Sequence, residues 1–145
     1  MGYVKVWVHL VWATKCRKPL LTKDIRSGVF KHIRENAREK GIYVDYINGY
    51  LEHVHCLISL ESGQNIDKIM MLLKGESSYW INKNKTYPGK FEWQESYFAV
   101  SVSESGVNRV RDYIKNQENH HRKKNFDDEY QKFISRYGFE VMVSG

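Results

Sequence analysis

Cysteine is scarce in this 145-residue chain: Cys16 and Cys56 are the only two, too few for a disulfide scaffold. Both read as reduced thiols of a cytoplasmic protein. No apolar run approaches the roughly 18 residues that a membrane-spanning helix needs. At the N-terminus Met1-Gly2-Tyr3-Val4-Lys5 passes directly into a strand-like pattern, with no charged region leading into an apolar one. Val6 stands where a myristoylation signal needs Ser or Thr. Internal repeats, low-complexity tracts, interdomain linkers and a glycine-rich phosphate cradle are also missing. Secretion, membrane insertion and Cys-rich zinc modules are set aside on these grounds.

What is present is one domain's worth of chain, residues 1–145, with 41% apolar and 28% charged residues, a soluble globular composition. Lys and Arg number 23 against 17 Asp and Glu, a net charge of +6 that favours a polyanionic partner, nucleic acid first. Ten Tyr, six Phe and four Trp make 14% of the chain aromatic. On a basic surface such rings stack unpaired bases; an aromatic-rich core accounts for the composition equally well.

Residues 4–12 are dense in Val, Trp and Leu and predict a strand covered on both faces. A helix follows from about Lys23 to Lys40, with Ile25, Val29, Ile33 and Ala37 in one stripe and Gly41 as its stop. Residues 42–51 and 53–60 read as two strands joined closely enough to be an antiparallel hairpin. Ile66, Ile69, Met70 and Leu73 mark a helix over about Asn65–Ile81, and Asn82–Lys90 is a basic loop with a Pro-Gly turn. A fourth strand spans Tyr97–Ser103, and Ser103–Gly106 breaks the chain before a helix over about Val107–His120. A last amphipathic helix carries Phe126, Tyr130, Phe133 and Tyr137. The order β-α-β-β-α-β, followed by two helices, predicts an α+β, ferredoxin-like antiparallel sheet with C-terminal helices.

Two patterns carry chemistry. Strand alternation in His53-Val54-His55 puts both imidazoles on one face, expected to be open, while Val54, Cys56, Ile58 and Leu60 form an apolar stripe for helices to cover. Two imidazoles so placed can converge on one cation, or be half-exposed histidines without a ligand. In the third helix Tyr113 and Gln117 are four apart and project together, flanked by Asn116, His120 and Arg109. Tyr113 reads either as a boundary residue or as a nucleophile at phosphorus. A phenol ionises near pH 10 and attacks at neutral pH only with charge neutralisation and in-line placement. Two imidazoles and a carboxamide leave positions open for phosphate oxygens, a set suited to Mg²⁺ or Mn²⁺.

Together these residues resemble the single-tyrosine HUH transposases, small enzymes of hairpin-ended insertion sequences related to the REP-associated tyrosine transposases. The resemblance rests on His9-Leu10-Val11-Trp12-Ala13-Thr14-Lys15, His53-Val54-His55, Trp93-Gln94-Glu95-Ser96-Tyr97 and Tyr113-Ile114-Lys115-Asn116-Gln117, and runs from about Val4 to Tyr137. It implies that residues 1–145 form one HUH transposase domain. His53, His55 and Gln117 would hold the divalent metal, and Tyr113 would be the catalytic nucleophile, leaving a 5′-phosphotyrosine and a free 3′-hydroxyl on single-stranded DNA. It also implies hairpin recognition and a homodimer whose tyrosine helix can act in trans, with Ser103–Gly106 as the hinge. The short C-terminal stretch favours the compact insertion-sequence branch.

Lys15, Arg17, Lys18, Lys83, Lys85, Arg109, Arg122 and Lys123 are the candidate DNA contacts, with solvated charge as the plain alternative. His9 fits a packed or hydrogen-bonded role, and His120-His121 either assist proton transfer or cap a helix. Two rival functions remain: a domesticated nicking enzyme with the same site, and a non-catalytic nucleic-acid binder on a ferredoxin-like sheet. A structural zinc site is disfavoured because Cys56 faces away from both histidines.

Overall fold

The computed structural model describes residues 2–121 and 125–137, the side chains of 133–135 and 137 excepted. The elements are β1 (Val6–Thr14), α1 (Lys23–Glu39), β2 (Tyr43–Gly49), β3 (His53–Leu60), α2 (Ile66–Asn84), β4 (Trp93–Val102), α3 (Val107–Lys115), α4 (Gln117–His121) and α5 (Phe126–Tyr137). The four strands lie in the order β2-β3-β1-β4, every neighbouring pair antiparallel, which is the ferredoxin-like arrangement expected.

One face of the sheet carries the main core. Leu10, Trp12, Val54, Cys56 and Ile58 meet Val29, Phe30 and Ile33 of α1 and Ile69, Met70 and Leu73 of α2. Each fully buried large aliphatic of this set contributes about 1.5–3 kcal/mol. Helix α1 ends as its sequence predicts, at Gly41 with φ +74°. Helix α2 is capped by the Asn65 side chain, which accepts from the Lys68 N–H at 2.9 Å. It runs one turn further than expected, to Asn84, so Lys83 lies inside it and Lys85 caps it in the left-handed region.

The hairpin that presents the histidines depends on Gly49. A Cβ there would sit 2.2 Å from the His53 carbonyl oxygen, so only glycine lets β2 approach β3 at this point. Strand β4 starts at Trp93 rather than Tyr97, because past an irregularity in the pairing Thr14 of β1 aligns with Trp93.

Two further expectations are corrected. The second sheet face is not open: α3, α4 and α5 cover it, and His53 and His55 are both fully buried. The third helix is not continuous to His120. It breaks at Asn116 because the Asn48 amide donates to the Ile114 and Lys115 carbonyls at 3.0 and 3.2 Å, satisfying the helix end from β2. Ser103–Gly106 includes a 3-10 turn whose Glu104 accepts from Trp7 Nε1 at 2.5 Å and pairs with Lys5 at 3.1 Å.

Candidate functional site

Strand register builds the site. Antiparallel pairing sets His55 opposite Val11, His53 opposite Ala13 and His9 opposite Leu57, so all share the face away from α1 and α2. His55 Nδ1 meets His9 Nε2 at 2.9 Å, and His53 Nδ1 meets the Glu52 carboxylate at 2.7 Å. Each imidazole therefore has a partner that fixes its ring and leaves Nε2 turned inward, the outer-shell support typical of metal-binding histidines.

The break after α3 turns Gln117 into the same space. Its Oε1 lies 3.0 Å from His53 Nε2, while its Nε2 donates to the Tyr113 carbonyl at 3.1 Å. Helix α5 brings Glu129, a residue that the sequence reading missed. Its carboxylate stands 2.8 Å from His55 Nε2, 3.4 Å from His53 Nε2 and 2.8 Å from His121 Nε2, and accepts a hydrogen bond from the Tyr113 hydroxyl. An acid three residues from Phe126 and next to Tyr130, on the apolar side of an amphipathic helix, was the available signal. Phe126 closes the site by stacking on His53, ring centroids 4.3 Å apart and nearly parallel.

Donor atoms of His53, His55 and Glu129 lie within 4.8 Å of one another, and Gln117 Oε1 joins them. Nitrogen donors with an anionic and a neutral oxygen fit a divalent cation that also takes phosphate oxygens. Burial, with the charge of His55 second, lowers the pKa of His9 to about 3, and burial lowers that of His55 to about 4, so both rings are neutral at physiological pH. Burial pushes the Glu129 carboxyl up, but hydrogen bonds from His121 and His55 and the nearby imidazoles more than offset it and hold the group well below the usual carboxylate range. A neutral His55 beside an ionised Glu129 is the protonation state in which these two donors bind metal.

Tyr113 lies across these groups, its ring 5.4 Å from that of His55 and its hydroxyl 3.5 Å from His120 Nε2. Cys56 is buried on the opposite face, and burial raises its thiol to about 12.

The candidate DNA contacts are scattered. Lys15 pairs with Glu92 at 2.9 Å, and Arg17 pairs with Asp127 and lies over Phe126 and Tyr130. Lys18 and Arg109 are exposed, the latter one turn before Tyr113. Lys83 and Lys85 end α2, on the layer across the sheet from the histidines. Arg122 and Lys123 lie outside the described residues.

A histidine pair on the central strand of a ferredoxin-like sheet, faced by a tyrosine helix, defines the architecture of the HUH-type transposases. The chain belongs to the IS200-like transposase family, whose pattern it matches over residues 3–117. It is 31% identical over 123 residues to ISDra2 transposase TnpA of Deinococcus radiodurans, covering 80% of this chain and 87% of that one. A solved transposase structure from Deinococcus radiodurans superimposes with a TM-score of 0.64 at 29% identity, over 81% of this chain and 95% of that one. The REP-associated tyrosine transposase bound to a REP hairpin shares the fold, with a TM-score of 0.60 at 19% identity over 83% and 72% of the two chains. The family match stops at Gln117, so Phe126 and Glu129 lie beyond it. Among the described residues no helix is long and apolar enough to cross a membrane.

Proposed function

We propose that the protein is a metal-dependent transposase that cleaves and rejoins single-stranded DNA at insertion-sequence ends through a 5′-phosphotyrosine on Tyr113. The observation that carries this reading is convergence: the Tyr113 hydroxyl, His53, His55, Gln117 and Glu129 meet at one buried point although they come from four elements. A non-catalytic binder has no use for that arrangement. We take residues 1–145 as one such domain, cytoplasmic, with a hairpin-bearing DNA strand as its substrate.

His53 and His55 would hold the divalent ion through Nε2, with Gln117 and Glu129 offering oxygen. Bound there, Mg²⁺ or Mn²⁺ draws charge from the phosphate oxygens and makes phosphorus more electrophilic. Tyr113 Oη forms the new bond to phosphorus as the bond to the 3′ oxygen breaks. The phenol gives up its proton, and the departing 3′ oxygen takes one up to become a hydroxyl. The phenol proton is directed at Glu129, and His120 Nε2, 3.5 Å from Tyr113 Oη, is the second group within reach of it. Rejoining reverses these steps with a different 3′-hydroxyl, and one phosphodiester replaces another without ATP.

The homodimer, with a tyrosine helix shared between subunits, is part of this proposal. Within one chain Tyr113 already meets the histidines. Exchange requires α3 to leave Asn48 and the Asp45 carboxylate, which holds Arg111 through two bonds of 2.7 Å.

Covalent trapping tests the reaction. Labelled single strands from the DNA flanking its reading frame are mixed with protein and either Mn²⁺ or EDTA, then run on a denaturing gel. A Mn²⁺-dependent shifted band that disappears in Tyr113→Phe is expected. Tight hairpin binding with no attachment under any metal overturns the mechanism in favour of a binding module.

A further inference from the structure

A cavity of about 480 Å³ lies beside the histidines, between the sheet and α5. Its floor is Val11, Ala13 and Phe98, and Phe126 and Tyr130 of α5 form a wall. Register pairs His55 with Val11 and Val11 with Phe98, so the floor runs out to two strand spacings, about 10 Å, from the histidine column. Phe126 stacks on His53 and also lines the cavity, and Tyr113 packs on the same small cluster of Val11, Ala13 and Phe126.

We propose that this cavity is a nucleobase pocket that takes one unstacked base of the DNA strand next to the phosphate attacked by Tyr113. The proposal rests on the transposase reading above and deepens it. The volume is within the roughly 300–1,000 Å³ of small-ligand sites. Phe126 is stacked on His53, so the rings open to a base are those of Phe98 and Tyr130, the latter once Arg17 swings off its face. Aromatic faces of this kind give the sequence-tolerant stacking that single-stranded nucleic-acid sites use. Gln94 lines the cavity too: its Oε1 accepts the Cys16 N–H at 3.2 Å, which fixes the amide and leaves Nε2 to donate to a base edge.

A second, independent observation concerns the backbone at the rim. Cys16 and Arg17 are consecutive non-glycine residues in the left-handed region, at φ 57° and 52°. Such conformations are costly and persist where the surroundings impose them, often at ligand sites. Here they carry the Arg17 guanidinium over the rings of Tyr130 and Phe126, at 4.7 and 5.2 Å from their centroids. There it pairs with Asp127 on α5, and a phosphate next to the bound base presents the same negative charge. A base entering on Tyr130 moves Arg17 off that ring, and the guanidinium then exchanges Asp127 for the strand's phosphate.

The test uses the full-length protein and the strand whose cleaved phosphate has been mapped by covalent trapping. Affinity for that strand is measured with Tyr113→Phe protein, removing one base at a time around the mapped phosphate. One position within two nucleotides of it is expected to lose about 10-fold in affinity, the scale of one lost stack. Adding Phe98→Ala should weaken the intact strand by a similar factor and abolish the penalty at that position alone. Loss of general packing would weaken every strand alike. Gln94→Ala, at the rim, should flatten base preference at that position without changing affinity for the abasic strand. If the wild type attaches to DNA but no single position matters, or Phe98→Ala and Gln94→Ala leave the position's penalty and preference intact, the pocket holds no base and the proposal is wrong. If the wild type never attaches to DNA, the transposase reading itself fails and the pocket proposal fails with it.

Discussion

Replacing Glu129 by Gln removes the anion at the centre of the site while keeping its shape. The carboxylate is 2.8 Å from two imidazole nitrogens and 3.4 Å from a third, and it is almost completely buried. His55 is neutral, so the change orphans no charge there and removes charge-assisted contacts, at about 1.5–3 kcal/mol. Burial of Phe126 returns about 2 kcal/mol to the docking of α5. A 12-residue helix is marginal in water by itself, so the loss falls mainly on the docking of α5. The core under α1 and α2, on the other sheet face, is unaffected. Loss of an outer-shell partner already weakens metal sites by about 10–100-fold, so loss of a direct carboxylate donor should cost at least about 100-fold. Mn²⁺ calorimetry and hydrogen exchange along α5 read the two effects. Wild-type α5 amides should gain protection with Mn²⁺, and those of Glu129→Gln should exchange fast with or without it. Equal Mn²⁺ affinity and equal α5 protection in both proteins would refute the assignment of Glu129 as a ligand.

Three further outcomes follow from the same geometry. His9 and His55 titrate at about 3 and 4 when folded, against an ordinary value of 6.5, so below pH 6.5 the unfolded chain binds more protons and stability falls with pH. At pH 5 the two together should cost about 4 kcal/mol relative to pH 8, and denaturant midpoints at constant ionic strength measure it; a flat profile from pH 8 to 5 contradicts the buried neutral pair. Cys16 is exposed and Cys56 is buried with its thiol raised to about 12, so a thiol reagent at pH 8 should modify one cysteine in the native protein and two after denaturation. Asn48→Ala frees the Ile114 and Lys115 carbonyls, at a cost of about 1 kcal/mol, and should speed amide exchange at the end of α3 and slow covalent trapping. Unchanged exchange there would mean that α3 ends for another reason.

The sheet was legible because its cues are local. Alternation in His53–Leu60 fixed that strand to the residue and separated the imidazoles from Cys56. Val29, Ile33 and Ala37 placed α1 on the sheet for the same reason. Tyr113 and Gln117 were found through their four-residue spacing, which the break at Asn116 preserves only because Gln117 is held to the Tyr113 carbonyl and to His53. The cause of that break, the Asn48 amide, sits 66 residues away and leaves no local trace. Glu129 does leave a local sign, an acid on the apolar side of α5, but its role appears only once α5 lies over β3. The face expected to be open is covered: β3 contains no sign of what packs on it, and the cover comes from helices more than 40 residues downstream.

That cover links the metal to the DNA. On the proposed function an ion bound by Glu129 would also anchor α5, and α5 contributes Phe126 and Tyr130 to the cavity wall. Ion and strand should therefore tighten each other's binding, and linkage makes the factor the same in both directions. With Tyr113→Phe protein, which on the proposed function cannot cleave, Mn²⁺ affinity is measured with and without the strand, and strand affinity with and without Mn²⁺. A common factor above one is expected. Direct contact between ion and phosphate also produces coupling, but that part survives in Glu129→Gln once Mn²⁺ is raised to saturation. The part carried by α5 does not survive, and it also disappears when the strand lacks its pocket base. If saturating Mn²⁺ restores full coupling to Glu129→Gln, the helix is a bystander and the ion acts on the strand alone.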